Sequence, residues 1–129
     1  MPAPSLQGSE KIQCKRAYDA PGADDGYRLL VDKLWPRGVS KAQLRLDEWD
    51  KSLAPSDALR RWFNHEPEKW AAFYQKYHKQ LRQTLPGSRI DTLLEHARHT
   101  GLTLLYAAKD TRHNNAVALR MFLESFCHS

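Results

Sequence analysis

Residues 102–126 read LTLLYAAKDTRHNNAVALRMFLESF, and three segments of this stretch decide the fold. Leu102 to Ala108, LTLLYAA, is a short, mostly apolar run in which Thr103 is the one polar aliphatic, the pattern of a strand covered on both faces. Lys109 to Asn115 is polar throughout and reads as a loop. Ala116 to Phe126 is apolar around most of its circumference, which predicts a helix that is either deeply buried or seated at a subunit interface, so a homodimer stays open.

Working back from this stretch, Gly101 stops a helix over Arg89–His99 that turns Ile90, Leu93, Leu94 and Ala97 inward. Pro86-Gly87 ends a longer helix running from Pro67 to about Leu85, in which Trp70, Phe73, Tyr74, Tyr77 and Leu81 recur at spacings of three and four. Ser56 is an N-cap for a short helix ending near Asn64. Residues 41–51 predict one or two helical turns with Leu44, Leu46 and Trp49 inward. Tyr27 to Leu34, YRLLVDKL, is a second buried strand closed by Trp35, Pro36, Arg37 and Gly38. Lys11 to Tyr18 alternates as a half-buried strand, and Asp19 to Gly26 is a loop. Residues 1–10 read as a disordered tail. The fold class is therefore α/β: a single domain over residues 11–127, with a small, at least partly parallel sheet flanked by helices. The Tyr27 and Leu102 strands are joined by a long helical crossover.

The chain has 129 residues, the size of one domain, and 41% are hydrophobic, enough to build a core. Twenty Lys and Arg against fifteen Asp and Glu give a net charge of +5, which favours anionic partners without choosing among them. Two cysteines, Cys14 and Cys127, stand far apart and in no metal-ligand spacing, which disfavours a disulfide-stapled fold and a structural zinc site. With no signal-like start and no membrane-spanning run, the expectation is a cytoplasmic protein with no membrane association.

In parallel sheets ligands gather beyond the carboxyl ends of the strands. The two buried strands end in DKLWPRG (residues 32–38) and KDTRHNN (residues 109–115), the densest polar chemistry in the chain. Arg37, Lys109, Arg112 and Asn114, with the N-terminus of the last helix, are the candidate anion-binding groups. Trp35, His65 and Asp110 are candidate pocket-lining residues. Asp32 and His113 are the candidate acid/base pair if the protein is an enzyme, with charge stabilised by Arg37 and Lys109. Plainer roles compete at each position. Asp32 suits a structural acceptor better than a base, Asn114 and Asp110 are good helix caps, His113 could be an ordinary loop histidine, and Trp35, Trp49 and Trp62 read first as packing.

No glycine-rich phosphate loop, G-x-S-x-G or H-E-x-x-H occurs, so no cofactor or metal is implied. Neither cysteine has the setting of a nucleophile, and His96 with His99 reads as a surface pair. The alternative reading is a nucleic-acid-binding face. Between Lys69 and His99 stand six cations, Lys69, Lys76, Lys79, Arg82, Arg89 and Arg98, and two acids, Asp91 and Glu95. A solvated helix surface is the favoured reading there, because no stacking aromatics are expected among these cations.

The strings LVDKLWPRG (30–38), LDEW (46–49), LAPSDALRRWFNH (53–65) and LLYAAKDTRHNNAV (104–117) together resemble the YeaO-like branch of the bacterial domain of unknown function 488 family. The resemblance spans about Lys11 to Phe126. It implies a compact cytoplasmic α/β protein and brings no substrate, cofactor or mechanism. Longer relatives look as though they carry cysteines near the segment that is YAAKDTRHNN here. This chain has Tyr106, Ala107 and Ala108 instead, so thiol chemistry does not carry over. The matching motifs mark Asp32, Trp35, Arg37, His65, Lys109, Asp110, His113 and Asn114 as a pocket.

Overall fold

A computed structural model describes residues 11–127; the tail read over residues 1–10 lies outside them. Four strands, β1 (Ile12–Arg16), β2 (Tyr27–Leu30), β3 (Glu48–Trp49) and β4 (Leu102–Tyr106), form one sheet in the order β1-β4-β2-β3. Every pairing is parallel, with Leu104 of β4 between Cys14 of β1 and Leu29 of β2. The helices are α1 (Lys41–Leu44), α2 (Asp57–Phe63), α3 (Trp70–Thr84), α4 (Gly87–His99) and α5 (Asn115–Glu124). The crossover expected between the Tyr27 and Leu102 strands is present, and the two pair directly from Tyr27↔Leu102 onward.

The two faces of the sheet are covered unequally. Leu29, Val31, Leu102, Leu104 and Tyr106 pack with Leu59, Phe63, Phe73, Tyr77, Leu81, Leu93, Leu119 and Phe122 from α2 to α5 in the main core. The other face carries a small cluster of Ala17, Leu30, Leu44 and Leu105, and beside it a polar network. There Arg28 pairs with Asp25, which also receives Lys15 Nζ at 3.1 Å and the Gly22 N–H at 2.9 Å. The Arg28 guanidinium donates to Leu44 O at 2.6 Å and so caps the carbonyl end of α1. Asp25 and Arg28 are 3% and 5% exposed; a buried ion pair persists when its remaining donors and acceptors are filled in this way.

Several boundaries differ from the sequence expectations, each for a local reason. The segment 41–51 holds one of the one or two helical turns expected, and a strand where the rest was read as helical. Helix α1 closes after one turn at Arg45, whose φ of 50° is left-handed, and Glu48–Trp49 then adds a short edge strand beside β2. Two residues are too few to display a period. Pro67 opens a 3₁₀ turn, Pro67–Lys69, rather than α3 itself. Gly87 begins α4 instead of serving only to end α3. Gly101, at φ 93°, stops α4 as expected, its N–H reaching His96 O at 3.0 Å. Ser56 caps α2, accepting from Leu59 N at 3.2 Å.

Helix α5 is deeply buried, one of the two settings expected: Ala116, Ala118, Leu119, Phe122 and Leu123 are all in the core, and Phe126 just beyond is 48% exposed. No helix among the described residues is long and apolar enough to cross a membrane.

Candidate functional site

Both strand ends expected to carry chemistry open into one cleft of about 590 Å³. Its frame is built by Asp32. The ladder between β2 and β4 runs one residue past β2 through Val31 N to Leu105 O (3.1 Å). The chain then turns away, and Asp32 Oδ2 accepts the Ala107 N–H at 2.9 Å, filling the place of the missing ladder partner. Asn115, first residue of α5, donates to Asp32 Oδ1 (3.0 Å) and to Val31 O (3.1 Å), locking the helix start against the strand end. Behind it, Trp49 of the unexpected edge strand donates to Asp32 O at 2.8 Å, and its ring meets Trp35 edge-on. Burial raises the Asp32 carboxyl above its ordinary value, more than the Asn115 and Ala107 donors lower it.

Asp110 organises the loop before α5. One carboxylate oxygen accepts the backbone N–H groups of Arg112 and His113, and the other meets His113 Nδ1 at 3.0 Å. These contacts, the Arg112 N–H first, hold the Asp110 carboxyl below its ordinary value. His113 sits edge-on to Trp70 with ring centroids 5.4 Å apart. Its Nε2 has no hydrogen-bond partner among the described residues. Asn114 is an N-cap whose Oδ1 accepts from Val117 N at 2.9 Å, while its amide donates to Asp110 O. One first-turn donor of α5 is therefore already occupied. Asn114→Ala is expected to lower stability by about 0.5–2 kcal/mol, read as a fall in the denaturation midpoint.

The predicted residues divide between the cleft and its surroundings. Asp32, Trp35, Arg37, His65, His113 and Asn114 line it. Lys109 and Arg112 are exposed and do not line it, because the turn held by Asp110 carries them outward. Asp110 stands behind His113 instead of in the wall. Residues that sequence reasoning passed over take part: Lys33, Arg60, Arg61, Asn64 and Asn115 also line the cleft. Arg60 Nε is buried with no hydrogen-bond partner among the described residues. Its nearest acid is Asp57, at 3.6 Å from Nη2. The available signal was the RRWFNH run, where Arg60 precedes the core residue Phe63 by one helical turn. Asn64 and His65 follow with φ of 49° and 55°, two consecutive left-handed residues that present His65 at the rim.

Elsewhere, Cys14 lies in β1 against the core, and burial pushes its thiol up to about 11, in keeping with an unreactive sulfur. His96 is not a surface partner of His99: it stacks on Tyr27 at 3.6 Å, and His99 reaches Glu95. The six cations of the alternative reading do not share one face. Arg89 is held by Glu48 at 2.7 Å and by Asp50 at 2.9 Å, next to the edge strand.

The DUF488-N3i family model, described as "Inactive DUF488-N3 subclade", matches residues 11–129. The chain belongs to this DUF488 family. It is 48% identical over 115 residues to the uncharacterized protein YeaO of Escherichia coli K12, a match covering 88% of this chain and 97% of YeaO. It is 34% identical over 103 residues to the uncharacterized protein Rv3073c of Mycobacterium tuberculosis H37Rv, covering 80% and 82% of the two chains. No solved structure matches it. This is a YeaO-like DUF488 protein, as the motifs of residues 30–38 and 104–117 implied.

Proposed function

We propose that this DUF488 protein binds an anionic small molecule, bearing a phosphate or carboxylate, in the cleft at the carboxyl ends of β2 and β4. The observation that carries the reading is the charge of the wall: Lys33, Arg37, Arg60 and Arg61 line the cleft with a single carboxylate, Asp32, among its lining residues, while Asp57, outside the wall, meets Lys33 at 2.8 Å and Arg60 at 3.6 Å and leaves Arg37 and Arg61 as the excess charge. The volume suits a small ligand, and Trp35, Phe63 and Phe73 supply apolar surface between the charged groups. The acceptor missing from Arg60 Nε is one that an anion, directly or through a water, provides. Relative to the sequence expectation, the cationic partners of Arg37 shift from Lys109 and Arg112 to Arg60 and Arg61.

Binding without turnover is the favoured form. Both Asp32 oxygens already accept hydrogen bonds from the frame, and the family is described as inactive. His113, oriented by Asp110, then serves as a hydrogen-bonding wall through Nε2 rather than as an acid or base.

Sulfate, which keeps both charges over the relevant pH range, is the first probe. Calorimetric titration is expected to show saturable binding that Arg37→Ala or Arg60→Ala weakens roughly 10- to 150-fold, the value of a hydrogen bond to a charged group. An absence of binding by sulfate, phosphate and acetate alike sinks the reading.

The pH dependence has a definite sign. An anion disfavours the ionised Asp32, so sulfate is expected to bind more tightly as pH falls through the raised Asp32 value. Asp32→Asn is expected to remove that part of the dependence; because its amide nitrogen leaves one frame donor, the Ala107 N–H or the Asn115 amide, without an acceptor, the pH profile and not the absolute affinity is the readout. A pH profile identical in wild type and variant contradicts it.

A further inference from the structure

On the side of α2 away from this cleft lies a second groove of about 340 Å³, lined by Ser56, Ala58, Leu59, Trp62, Lys76, Lys79, Gln80 and Gln83. None of these residues is acidic. Trp62 is 40% exposed, and two ammonium groups lie over its ring: Lys69 Nζ at 4.9 Å and Lys76 Nζ at 5.2 Å from the centroid. Lys69, Lys76 and Gln83 succeed one another at intervals of seven residues, which stacks them along one line of α3 and the turn before it. Lys79 flanks that line and has no ion-pair partner among the described residues. Lys69 also reaches Trp62 O at 2.7 Å and Glu66 at 3.4 Å. An aromatic residue is thus interleaved among these cations, contrary to the sequence expectation, and it comes from α2 rather than from the cationic helix.

We infer that the strip formed by Trp62, Lys69, Lys76 and Lys79 binds single-stranded nucleic acid, a base stacking on the Trp62 indole and the lysines meeting the flanking phosphates. A large, partly exposed indole beside lysine ammonium groups combines a stacking platform with a basic track, the two elements that sequence-tolerant single-strand binders use. An exposed cation–π contact is weaker than base stacking on an indole, so a base displaces the ammonium groups from the ring, and their flexible stems carry them to the phosphate backbone. An acidic peptide satisfies the lysines but leaves the indole without a planar partner. A duplex hides its base faces and leaves it unused as well.

The test is fluorescence anisotropy with a short labelled oligothymidylate at low and moderate salt. The expected result is binding that weakens with salt and prefers the single strand over a duplex. Trp62→Ala is expected to reduce affinity roughly 5- to 150-fold, whereas Trp62→Tyr keeps most of it. Because Trp62 is exposed, circular dichroism of both variants is expected to match wild type. Lys76→Ala with Lys79→Ala lowers the logarithmic salt slope by roughly 1.4, about 0.7 for each phosphate that no longer has a lysine beside it. The inference does not depend on the small-anion cleft, and Arg37→Ala is expected to leave oligonucleotide affinity unchanged. Any of four results overturns it: no binding at low salt, no effect of Trp62→Ala, equal binding of duplex, or equal competition by polyglutamate. A loss of affinity in Arg37→Ala overturns it too, since it moves the nucleic acid into the cleft.

Discussion

Asp25→Ala is expected to destabilise the protein by about 3–5 kcal/mol, the usual effect of removing one partner from a buried ion pair. The cause is the group left behind. The Arg28 side chain is only 6% exposed and loses its carboxylate while still fixed to Leu44 O and Arg45 O. In the same step the Gly22 N–H loses its acceptor and Lys15 Nζ keeps only the Ala20 carbonyl. Set against a typical domain stability of about 5–15 kcal/mol, this is a large fraction. Urea denaturation measures it, and a change in midpoint worth less than about 1 kcal/mol means the pair is not buried as described. Adding Arg28→Met to Asp25→Ala is expected to recover part of the loss, because the isolated charge goes, though Leu44 O then lacks its donor.

The same group sets a pH dependence. Burial raises the Asp25 carboxyl, but the Gly22 N–H, Lys15 and Arg28 together hold it below its ordinary value of 3.8. For a depressed carboxylate the stabilisation is present above that ordinary value and is lost as pH falls through the lower folded value. Wild type is therefore expected to lose stability in acid below about pH 4 more steeply than Asp25→Ala does.

Gly26→Ala is expected to destabilise by about 2–5 kcal/mol, from left-handed strain and overpacking combined. At φ 64° a Cβ on residue 26 meets the carbonyl oxygens of Thr100 and Gly101 at 2.3 Å each. Both are backbone atoms, so no side-chain rotation relieves the contact. Gly101 O also accepts the Tyr27 N–H at 2.9 Å, the first link between the starts of β2 and β4. The clash thus pries apart the two central strands whose far ends frame the cleft. Gly101→Ala makes the informative comparison: its φ is also positive, at 93°, but only the Lys11 side chain is near, at 3.6 Å. It is expected to lose less. Equal effects on the denaturation midpoint mean that strain alone, not the close approach, decides.

Elements whose signal is local were legible in the residues themselves. The short, mostly apolar run of β4 marked a buried strand, and α3 carried its aromatic stripe at helical spacing. Ser56, Asn114 and Gly101 cap or stop their helices by short-range backbone chemistry that needs no distant partner. Asp32 was legible as a polar residue at a strand tip, and its structural reading agrees with the acceptor role it takes between Ala107 and Asn115. Edge strand β3 was not legible, since two residues carry no period and its pairing partner lies about twenty residues upstream. Lys109 and Arg112 adjoin His113 in the chain, but the Asp110 turn rotates them out of the cleft. Arg60 enters it from a helix that proximity along the chain does not connect to β2 or β4.

By itself, then, the order of residues determined the α/β class, the parallel core strands, the main helices and the end of the sheet at which polar groups collect. Hydrophobic period and capping chemistry act within a few residues and are written into any short window. Only the tertiary structure decided which cations share a space: Arg60 and Arg61 with Arg37, Arg89 with Glu48 and Asp50, Lys69 and Lys76 with Trp62. Long charged side chains are placed by whatever surface the packed core leaves beside them, and that surface exists only once distant segments have come together.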